Sequence, residues 1–310
     1  MKIIKPKFWD KRELSLFSII LLPIAFLYQL LVYIKKIFIK KKTFSNPEIC
    51  VGNIYIGGTG KTPVSIKIFE ILKELKMNPV IIKKDYKNQK DEVLLMKKYC
   101  QILVSPKRTE GIYKAIEKNF DVIILDDGYQ DFEVEKNINI ICFNSKQKIG
   151  NGFTIPAGPL RQNLKSLSNC DMIFLNGKKD VDFEVKLKKY NPALQFVYYE
   201  YVAESMDELK NKKLIAFAGI GNPENFFNFL KNNDLNIVKE VKYPDHYDYS
   251  KKNLDYLIDL KKKYGAKLIT TEKDYMRINS DDRQNFLYLP IKANLESPDF
   301  LKNAIRKKIL

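Results

Sequence analysis

Hydrophobic and polar positions follow two patterns along this chain. Near the amino terminus, residues 14–33 form a run of twenty residues without a charge. After residue 47, short runs rich in β-branched residues alternate with amphipathic stretches whose apolar positions recur at helical spacing. Because strands alternate with helices, the second pattern predicts an α/β fold with a mostly parallel sheet flanked by helices.

The individual elements can be placed from the same pattern. Strands are predicted at residues 48–56, 80–83, 102–104, 121–125, 138–143, 172–175, 196–201, 214–218, 237–241, 267–270 and 286–289. Helices are predicted at residues 62–76, 92–99, 110–118, 223–231, 251–264 and 298–309. A charged stretch at 178–191 follows the strand at 172–175 and predicts a boundary between two α/β halves.

The amino-terminal run has the length and the flanks of a membrane helix. At about 1.5 Å per residue, twenty residues would cross a hydrocarbon core about 30 Å thick. Lysine and arginine residues flank it on both sides, including Lys7, Lys11 and Arg12 before it, and Trp9 and Tyr33 lie near the expected interfaces. A cleaved signal peptide is disfavoured because no small-residue cleavage site follows. A helix that spans the bilayer, a helix that lies in its interface and a buried helix of a soluble protein remain as alternatives.

The net charge of +17 is unevenly distributed. Residues 1–42 hold ten Lys or Arg against Asp10 and Glu13, a net of +8, which leaves +9 for the rest of the chain. This bias favours an anionic membrane surface over nucleic acid. The four cysteines show no C-x-x-C spacing and His246 is the only histidine, so a zinc site is not expected.

Residues 57–63 (GGTGKTP) lie between a predicted strand and a predicted helix, which is the context of a P-loop. In such a loop backbone N–H groups surround phosphate oxygens, Lys61 contacts the β- and γ-phosphates, and the Thr62 hydroxyl binds Mg²⁺. The strict pattern has a glycine at position 55, where this chain has Tyr55, so an ordinary strand–turn–helix connection is the alternative. The residues predicted to bind nucleotide are Gly57, Gly58, Thr59, Gly60, Lys61 and Thr62.

Residues 121–127 (DVIILDD) form an apolar run that ends in two carboxylates. This pattern is typical of a Walker B strand, in which an aspartate holds Mg²⁺ or its waters. The alternative is a strand that simply ends in a turn-favouring Asp-Asp-Gly. Beside a P-loop the first interpretation is preferred, and Asp126 and Asp127 are predicted to be Mg²⁺ ligands.

Six motifs together give the chain a resemblance to the tetraacyldisaccharide 4′-kinase family of lipid A biosynthesis. They are residues 52–63 (GNIYIGGTGKTP), 125–130 (LDDGYQ), 156–161 (PAGPLR), 218–223 (AGIGNP), 245–246 (DH) and 271–274 (TEKD). The resemblance implies a monomeric inner-membrane enzyme whose catalytic body lies in the cytoplasm. It also implies that the enzyme uses ATP and Mg²⁺ to phosphorylate the 4′-hydroxyl of a tetraacylated glucosamine disaccharide 1-phosphate.

The resemblance further implies a P-loop kinase core with a second, smaller lobe, and a catalytic base. Residues 1–42 would be the membrane anchor, 43–177 the nucleotide-binding core, and 178–310 the lobe that completes the active site. Asp91 matches the family's base, His246 would assist it, and Glu92 beside it is a further expected Mg²⁺ ligand. Asp85 and Lys90 stand where the family has glycines, so the resemblance does not determine the conformation of the loop around Asp91.

Two arginines are candidates for binding the γ-phosphate or the lipid's own phosphate. Arg108 and Arg161 offer planar, bidentate donors, although solvation at the surface is the alternative for each. Arg161 is also expected to take part in catalysis, and Asn53 is expected to contact the substrate. For His246 the alternative is a structural role, and the segments 218–223 and 271–274 receive no chemical role.

Three other protein classes compete with a lipid kinase. A membrane-associated P-loop ATPase of the partitioning or targeting type would have a lysine before the first glycine of the loop, where this chain has Ile56. A GTPase would carry an Asn-Lys-x-Asp segment, which is absent. A nucleic-acid-binding protein would show one of the known recognition motifs, and none is present.

Overall fold

The computed structural model describes residues 6–10, 15–86, 90–204 and 206–309. The chain divides into two compact units. Unit 1 comprises Met1–Lys84, Gln101–Glu200 and Ala293–Leu310, and unit 2 comprises Asp85–Cys100 and Tyr201–Lys292. The sequence predicted a boundary between the nucleotide-binding core and the second lobe after residue 177. The structure divides the chain elsewhere because the sheet of unit 1 continues through β6 (Met172–Asn176) into β7 (Gln195–Ala203), which pair in parallel.

The described residues form twelve strands and nine α-helices. The other strands are β1 (Glu48–Gly52), β2 (Pro79–Lys84), β3 (Ile102–Ser105), β4 (Val122–Asp126), β5 (Ile138–Asn144), β8 (Leu214–Ala218), β9 (Ile237–Lys242), β10 (Lys267–Thr271), β11 (Phe286–Leu289) and β12 (Ile291–Leu295). The helices are α1 (Leu16–Phe38), α2 (Lys61–Glu74), α3 (Lys90–Tyr99), α4 (Arg108–Glu117), α5 (Val181–Lys188), α6 (Pro223–Asn232), α7 (Lys251–Tyr264), α8 (Glu272–Tyr275) and α9 (Pro298–Ile309).

Eight strands form one sheet in the order β12-β7-β6-β5-β1-β4-β2-β3. From β3 to β7 all neighbouring strands are parallel. Strand β1 lies between β4 and β5, so the chain turns to opposite sides of the sheet on either side of it. In open parallel sheets a ligand binds outside the carboxyl ends of the strands at such a switch point. A ligand site is therefore expected at the residues that follow β1 and β4.

Unit 2 contains a second, four-stranded sheet in the order β11-β10-β8-β9, again with parallel pairs. Both faces of its central strands are covered, and every residue of β8 is buried. The predicted α/β fold with mostly parallel sheets is thus confirmed. Each predicted strand is present, and β8 and β11 have the predicted bounds.

Three elements were missed and one prediction was too long. Helix α5 lies in the charged stretch that was interpreted as a boundary, and only Phe183 and Leu187 of it are buried, which is too few to give a helical pattern. The four-residue α8 and the strand β12 were also not predicted. The first strand was predicted over residues 48–56, but β1 ends at Gly52. Residues 54–56 instead pair with residues 159–161, through hydrogen bonds from Ile56 N to Pro159 O (2.8 Å) and from Arg161 N to Ile54 O (2.6 Å).

The apolar amino-terminal run forms the 23-residue helix α1, which is long and apolar enough to cross a membrane. Residues 11–14 lie outside the described part, and with them Lys11, Arg12 and the first residue of the predicted run. Much of the helix is exposed: Phe17, Phe26 and Phe38 expose 68%, 73% and 81% of their surface. Phe17 stacks on Phe8 with ring centroids 6.1 Å apart, yet all three phenylalanines remain largely exposed, so the outer face of the helix is suited to lipid.

The opposite side of α1 is fixed to unit 1 by polar contacts. The Asn151 amide donates to Ser18 Oγ (3.1 Å), the Tyr28 hydroxyl donates to Arg161 O (3.1 Å), and the Asn163 N–H donates to Gln29 Oε1 (3.2 Å). The helix therefore lies along the segment 151–163, whose last residues also pair with the chain that follows β1.

Candidate active site

The P-loop turn joins β1 to α2 at the switch point of the large sheet. Two of its glycines have left-handed backbone angles, φ +120° at Gly57 and φ +90° at Gly60, which L-residues with a side chain rarely adopt. Gly60 is the residue before α2, and no side chain caps the helix there. The first N–H groups of α2 consequently remain available to an anion, and the helix dipole favours one.

Asn53 lies beneath this turn rather than at a substrate surface. Its side chain is fully buried, and its amide donates to Gly57 O (3.3 Å) and to Thr59 Oγ1 (3.0 Å). The Gln130 amide in turn donates to Asn53 O (2.7 Å). These contacts give Asn53 a role in shaping the turn, and the expected substrate contact of this residue stays a prediction.

Lys61, Asp127 and Arg161 form a charged group beside the turn. Lys61 Nζ is 3.7 Å from Asp127 Oδ1, and Arg161 Nη1 donates to both Asp127 oxygens at 3.1 and 3.3 Å. All three side chains are partly exposed, at 16%, 14% and 29%. The sequence predicted each residue separately, and the structure of unit 1 brings the three together.

Asp127 is ionised and conformationally unusual. Burial would raise the pKa of its carboxyl group, but the positive charges of Lys61 and Arg161 outweigh burial and lower it. Its φ is +51°, in the left-handed region. Asp tolerates this region better than most residues, and strained backbone of this kind gathers at functional sites. Asp127 is therefore the acidic residue that faces the positively charged P-loop side chains.

Asp126 occupies a different environment, although it is the neighbouring residue. Its side chain is 1% exposed, Oδ1 accepts a hydrogen bond from Ser65 Oγ (3.0 Å), and Oδ2 accepts one from Lys83 Nζ (2.6 Å). Lys83 is itself 2% exposed. Asp126 is thus almost fully buried among protein partners, whereas Asp127 is 14% exposed, which makes Asp127 the more accessible of the two predicted Mg²⁺ ligands.

The Lys83–Asp126 pair leads to a prediction about stability. We expect Lys83→Met to lower the free energy of unfolding by about 3 kcal/mol, because a methionine of similar shape leaves the Asp126 carboxylate buried without its cation. Urea denaturation would measure the loss. The double variant Lys83→Met/Asp126→Asn should recover part of it, and a single variant as stable as the wild type would contradict a compensating pair.

Arg108 was predicted to bind a phosphate, and the structure gives it another role. Its side chain is 4% exposed, and Nη2 donates to the backbone oxygens of Asp126 (2.9 Å) and Asp127 (2.8 Å), while Nη1 donates to Asp131 (3.2 Å). The guanidinium fixes the carboxyl end of β4 from inside the protein. Because Nη1 and Nη2 are bound to the protein there and the side chain is almost fully buried, its position does not support the expected phosphate contact.

Unit 2 contains a second charged cluster, built around Asp91 on α3. Asp91 Oδ2 accepts hydrogen bonds from Arg277 Nε (2.9 Å) and Nη2 (2.5 Å), and it lies 3.4 Å from His246 Nδ1 and 3.7 Å from Lys273 Nζ. Lys273 also pairs with Glu92 (2.8 Å). The predicted base and the predicted assisting histidine are therefore neighbours, and Glu92 contacts a lysine of the same unit.

Asp91 is ionised at neutral pH. Burial would raise the pKa of its carboxyl group, but the hydrogen bond with His246 and the charges of Lys273 and Arg277 outweigh burial and lower it to about 2. His246 has φ +53°, which few residues other than glycine adopt. Its backbone N–H donates to Gly219 O (3.0 Å), which joins the loop that follows β9 to the residue that follows β8.

Gly219, in the segment 218–223, is required by close packing. A Cβ at this position would lie 3.0 Å from Tyr247 Cβ and 3.1 Å from both Pro244 O and Tyr249 OH. A side chain would therefore push away the loop that carries His246. No role was predicted for the segment 218–223, and in the structure its Gly219 packs against the loop that carries His246.

Sequence reasoning missed three charged residues of these clusters: Lys83, Lys273 and Arg277. Lys83 and Arg277 are buried cations, and nothing in the local pattern distinguishes a buried lysine or arginine from the many exposed ones of this basic chain. Lys273 was present in the segment 271–274, which was noted at the end of a strand but was given no partner. Within the described residues no group of three or more His, Cys, Asp or Glu stands together as a metal site.

Comparison with known proteins agrees with this geometry. A sequence model described as tetraacyldisaccharide-1-P 4′-kinase matches residues 17–310. The chain belongs to the tetraacyldisaccharide 4′-kinase family. A tetraacyldisaccharide 4′-kinase of Pelagibacter ubique is 42% identical over 100% of this chain and 98% of its own length. One of Rickettsia bellii is 36% identical over 99% of both chains.

A solved structure supports membership of the tetraacyldisaccharide 4′-kinase family at the level of the fold. The crystal structure of the family member LpxK from Aquifex aeolicus, in a complex with ATP, superimposes with a TM-score of 0.73. It is 27% identical, and the match covers 95% of this chain and 100% of that one. The predicted P-loop kinase fold and the resemblance to the 4′-kinase family are both confirmed.

Proposed function

We propose that this protein transfers the γ-phosphate of ATP to the 4′-hydroxyl of a tetraacylated glucosamine disaccharide 1-phosphate. The family supplies the reaction, and one observation in the chain carries it: Lys61, Asp127 and Arg161 form a charged group beside an uncapped helix start at the switch point. That arrangement suits a polyphosphate, because backbone N–H groups and two cations converge on it. The crystal structure of the family member from Aquifex aeolicus is of a complex with ATP.

The residues of the P-loop also fit Mg²⁺. Thr62 in the first turn of α2 and the Asp127 carboxylate offer the hard oxygen donors that Mg²⁺ takes together with substrate phosphates. Asp126 accepts hydrogen bonds from Ser65 and Lys83, and we assign it the structural role of holding the end of β4 in place. When bound, Mg²⁺ neutralises charge on the β- and γ-phosphates. A site built from one carboxylate, one hydroxyl and the substrate needs no larger acidic cluster.

Asp91 and His246 are proposed to accept the proton of the acceptor. As the sugar hydroxyl oxygen forms its bond to the γ-phosphorus, the bond between that phosphorus and the bridging oxygen of ATP breaks, and ADP leaves. The hydroxyl proton passes to the Asp91 carboxylate, directly or through His246, which lies 3.4 Å from it. Lys61 and Arg161 stabilise negative charge on the transferred group and on the leaving ADP.

Helix α1 is proposed to hold the enzyme at the cytoplasmic face of the inner membrane. An acceptor with four acyl chains stays in the bilayer, so the enzyme has to work at its surface. The contacts of Ser18, Tyr28 and Gln29 with the segment 151–163 occupy about 16 Å of the helix. Because a helix bound to a polar protein segment over this length is not surrounded by lipid, the structure favours a helix lying in the interface over a spanning one.

This anchoring leads to a prediction. We expect the double variant Phe17→Ser/Phe26→Ser to lower the membrane-bound fraction by about 10²-fold or more, because each exposed phenylalanine contributes roughly 1.5–3 kcal/mol when lipid covers it. Sedimentation with anionic vesicles would measure binding. Phe300→Ser, which alters an exposed phenylalanine on α9, is the matched control and should bind like the wild type. Equal binding of all three proteins would contradict the role of α1.

The decisive experiment uses full-length protein in detergent micelles with γ-labelled ATP, Mg²⁺ and tetraacyl disaccharide 1-phosphate. Thin-layer chromatography should show a labelled lipid that requires Mg²⁺. An acceptor already phosphorylated at the 4′-position is the control and should remain unlabelled. Hydrolysis of ATP without any labelled lipid would reject the proposed function in favour of a membrane-associated P-loop ATPase.

A further inference from the structure

Arg277 is a buried arginine whose guanidinium is shared between three acceptors, on Asp91, Gly219 and Asp274. It is 6% exposed, and Nε and Nη2 both donate to Asp91 Oδ2. Its remaining Nη1 donates to Gly219 O (2.6 Å) and to Asp274 Oδ1 (2.8 Å). A planar group held at both ends in this way has one orientation, so Arg277 fixes where the Asp91 carboxylate lies.

Asp274 anchors Arg277 from the opposite side. Its side chain is fully buried and accepts hydrogen bonds from Thr271 Oγ1 (2.7 Å), Gly219 N (3.1 Å) and Tyr249 OH (3.0 Å). Every one of these donors lies on a strand end or on the loop that holds His246. The segment 271–274, together with Arg277, therefore forms a rigid support beneath the Asp91–His246 pair.

The support acts on one oxygen of Asp91. Both hydrogen bonds from Arg277 go to Oδ2, and the shortest distances from His246 Nδ1 and Lys273 Nζ to the carboxylate are also to Oδ2. Oδ1 is consequently the oxygen that remains to take a proton from an acceptor. Without the guanidinium, the carboxylate would be free to rotate about its Cβ–Cγ bond, and either oxygen would turn toward His246.

We propose that Arg277 is a positioning residue, which orients the Asp91 carboxylate so that Oδ1 is presented to the acceptor hydroxyl. This inference rests on the proposed function, because it assumes that Asp91 receives the proton. Misplacement of a reacting group by about 1 Å is enough to cost roughly 10²-fold in rate. The loss should fall on kcat, since Arg277 does not contact either substrate under this proposal.

Kinetics of Arg277→Ala with a matched control test the proposal. We expect kcat to fall about 10²-fold while KM for ATP and for the lipid stays within about twofold, and we expect added guanidinium at millimolar concentration to restore part of kcat. Arg283→Ala removes another arginine of unit 2, which donates to Met276 O and Ile278 O, and it should keep the wild-type kcat. A raised KM for the lipid with unchanged kcat, or a loss that guanidinium does not restore, would overturn the positioning role.

A measurement without substrate separates this proposal from the proposed function. His246 is the only histidine, so ¹³C-labelled histidine gives a single imidazole signal, and Arg277 Nη2 lies 3.3 Å from its Nδ1. In Arg277→Ala this signal should shift, and guanidinium should return it toward its wild-type position. An unshifted signal would overturn the support, even if the wild type phosphorylates the lipid. If the wild type makes no labelled lipid while the signal behaves as expected, it is the proposed function that fails.

Discussion

Lys61→Ala is expected to lower kcat/KM for phosphoryl transfer by about 10³-fold or more, which corresponds to about 4 kcal/mol of transition-state stabilisation. Lys61 begins α2 and lies 3.7 Å from Asp127, beside the turn that is proposed to hold the phosphates. Its ammonium group places a full positive charge where negative charge moves during the transfer. Removing it should therefore lower the rate more than removing a neutral hydrogen-bond donor would. Initial rates with labelled ATP would measure the effect.

The matched control for this variant is Lys67→Ala. Lys67 lies on the same helix but forms only a surface ion pair with Glu70, which is worth little in free energy. We expect this variant to keep the wild-type rate and stability. If Lys61→Ala retained more than about a tenth of the wild-type kcat/KM while Lys67→Ala behaved as expected, the assignment of the P-loop as the phosphate-binding site would be refuted.

Asp91→Asn is expected to lower kcat by roughly 10²–10⁴-fold, because an amide of the same shape cannot accept the acceptor's proton. Binding of ATP should be nearly unchanged, since Asp91 is proposed to act on the acceptor hydroxyl and not to hold the nucleotide. Single-turnover measurements of labelled lipid would give the rate, and equilibrium binding of a fluorescent ATP analogue would give the affinity.

This variant also removes the partner of Arg277, so its folding has to be checked. Thermal denaturation and the far-ultraviolet circular dichroism spectrum would show whether Asp91→Asn is folded. Asp255→Asn, which alters an exposed carboxylate on α7, is the matched control and should keep the wild-type kcat. Normal turnover of folded Asp91→Asn would exclude Asp91 as the base.

The features that were predicted correctly are those whose local sequence pattern is compatible with few backbone structures. The GGTGKT turn, the apolar strand ending in Asp126 and Asp127, and the uncharged amino-terminal run each have a pattern that restricts the backbone, and the structure contains all three. Arg161 was predicted for its chemistry and lies beside Asp127. In these cases local sequence and tertiary structure carry the same information.

Burial and long-range partners were not predictable from local pattern. Arg108 and Asn53 were interpreted as substrate contacts, yet both side chains are buried and bind backbone or loop atoms. Arg277 contacts Asp91 although 186 positions separate them in the chain. The division into units was also hidden, because it depends on which strands share a sheet and not on the composition of the residues between them.

The order in which the chain passes between the two units affects how the protein folds during synthesis. The chain leaves unit 1 after Lys84, returns at Gln101, leaves again after Glu200 and returns at Ala293. The neighbour of β7 at the edge of the large sheet is β12, which begins at Ile291, whereas β7 ends at Ala203. At about 5–20 residues per second, β7 emerges roughly 5–20 s before the strand that covers its edge. During that interval the nascent chain carries an unpaired edge strand, which is a site for chaperone binding or misassociation.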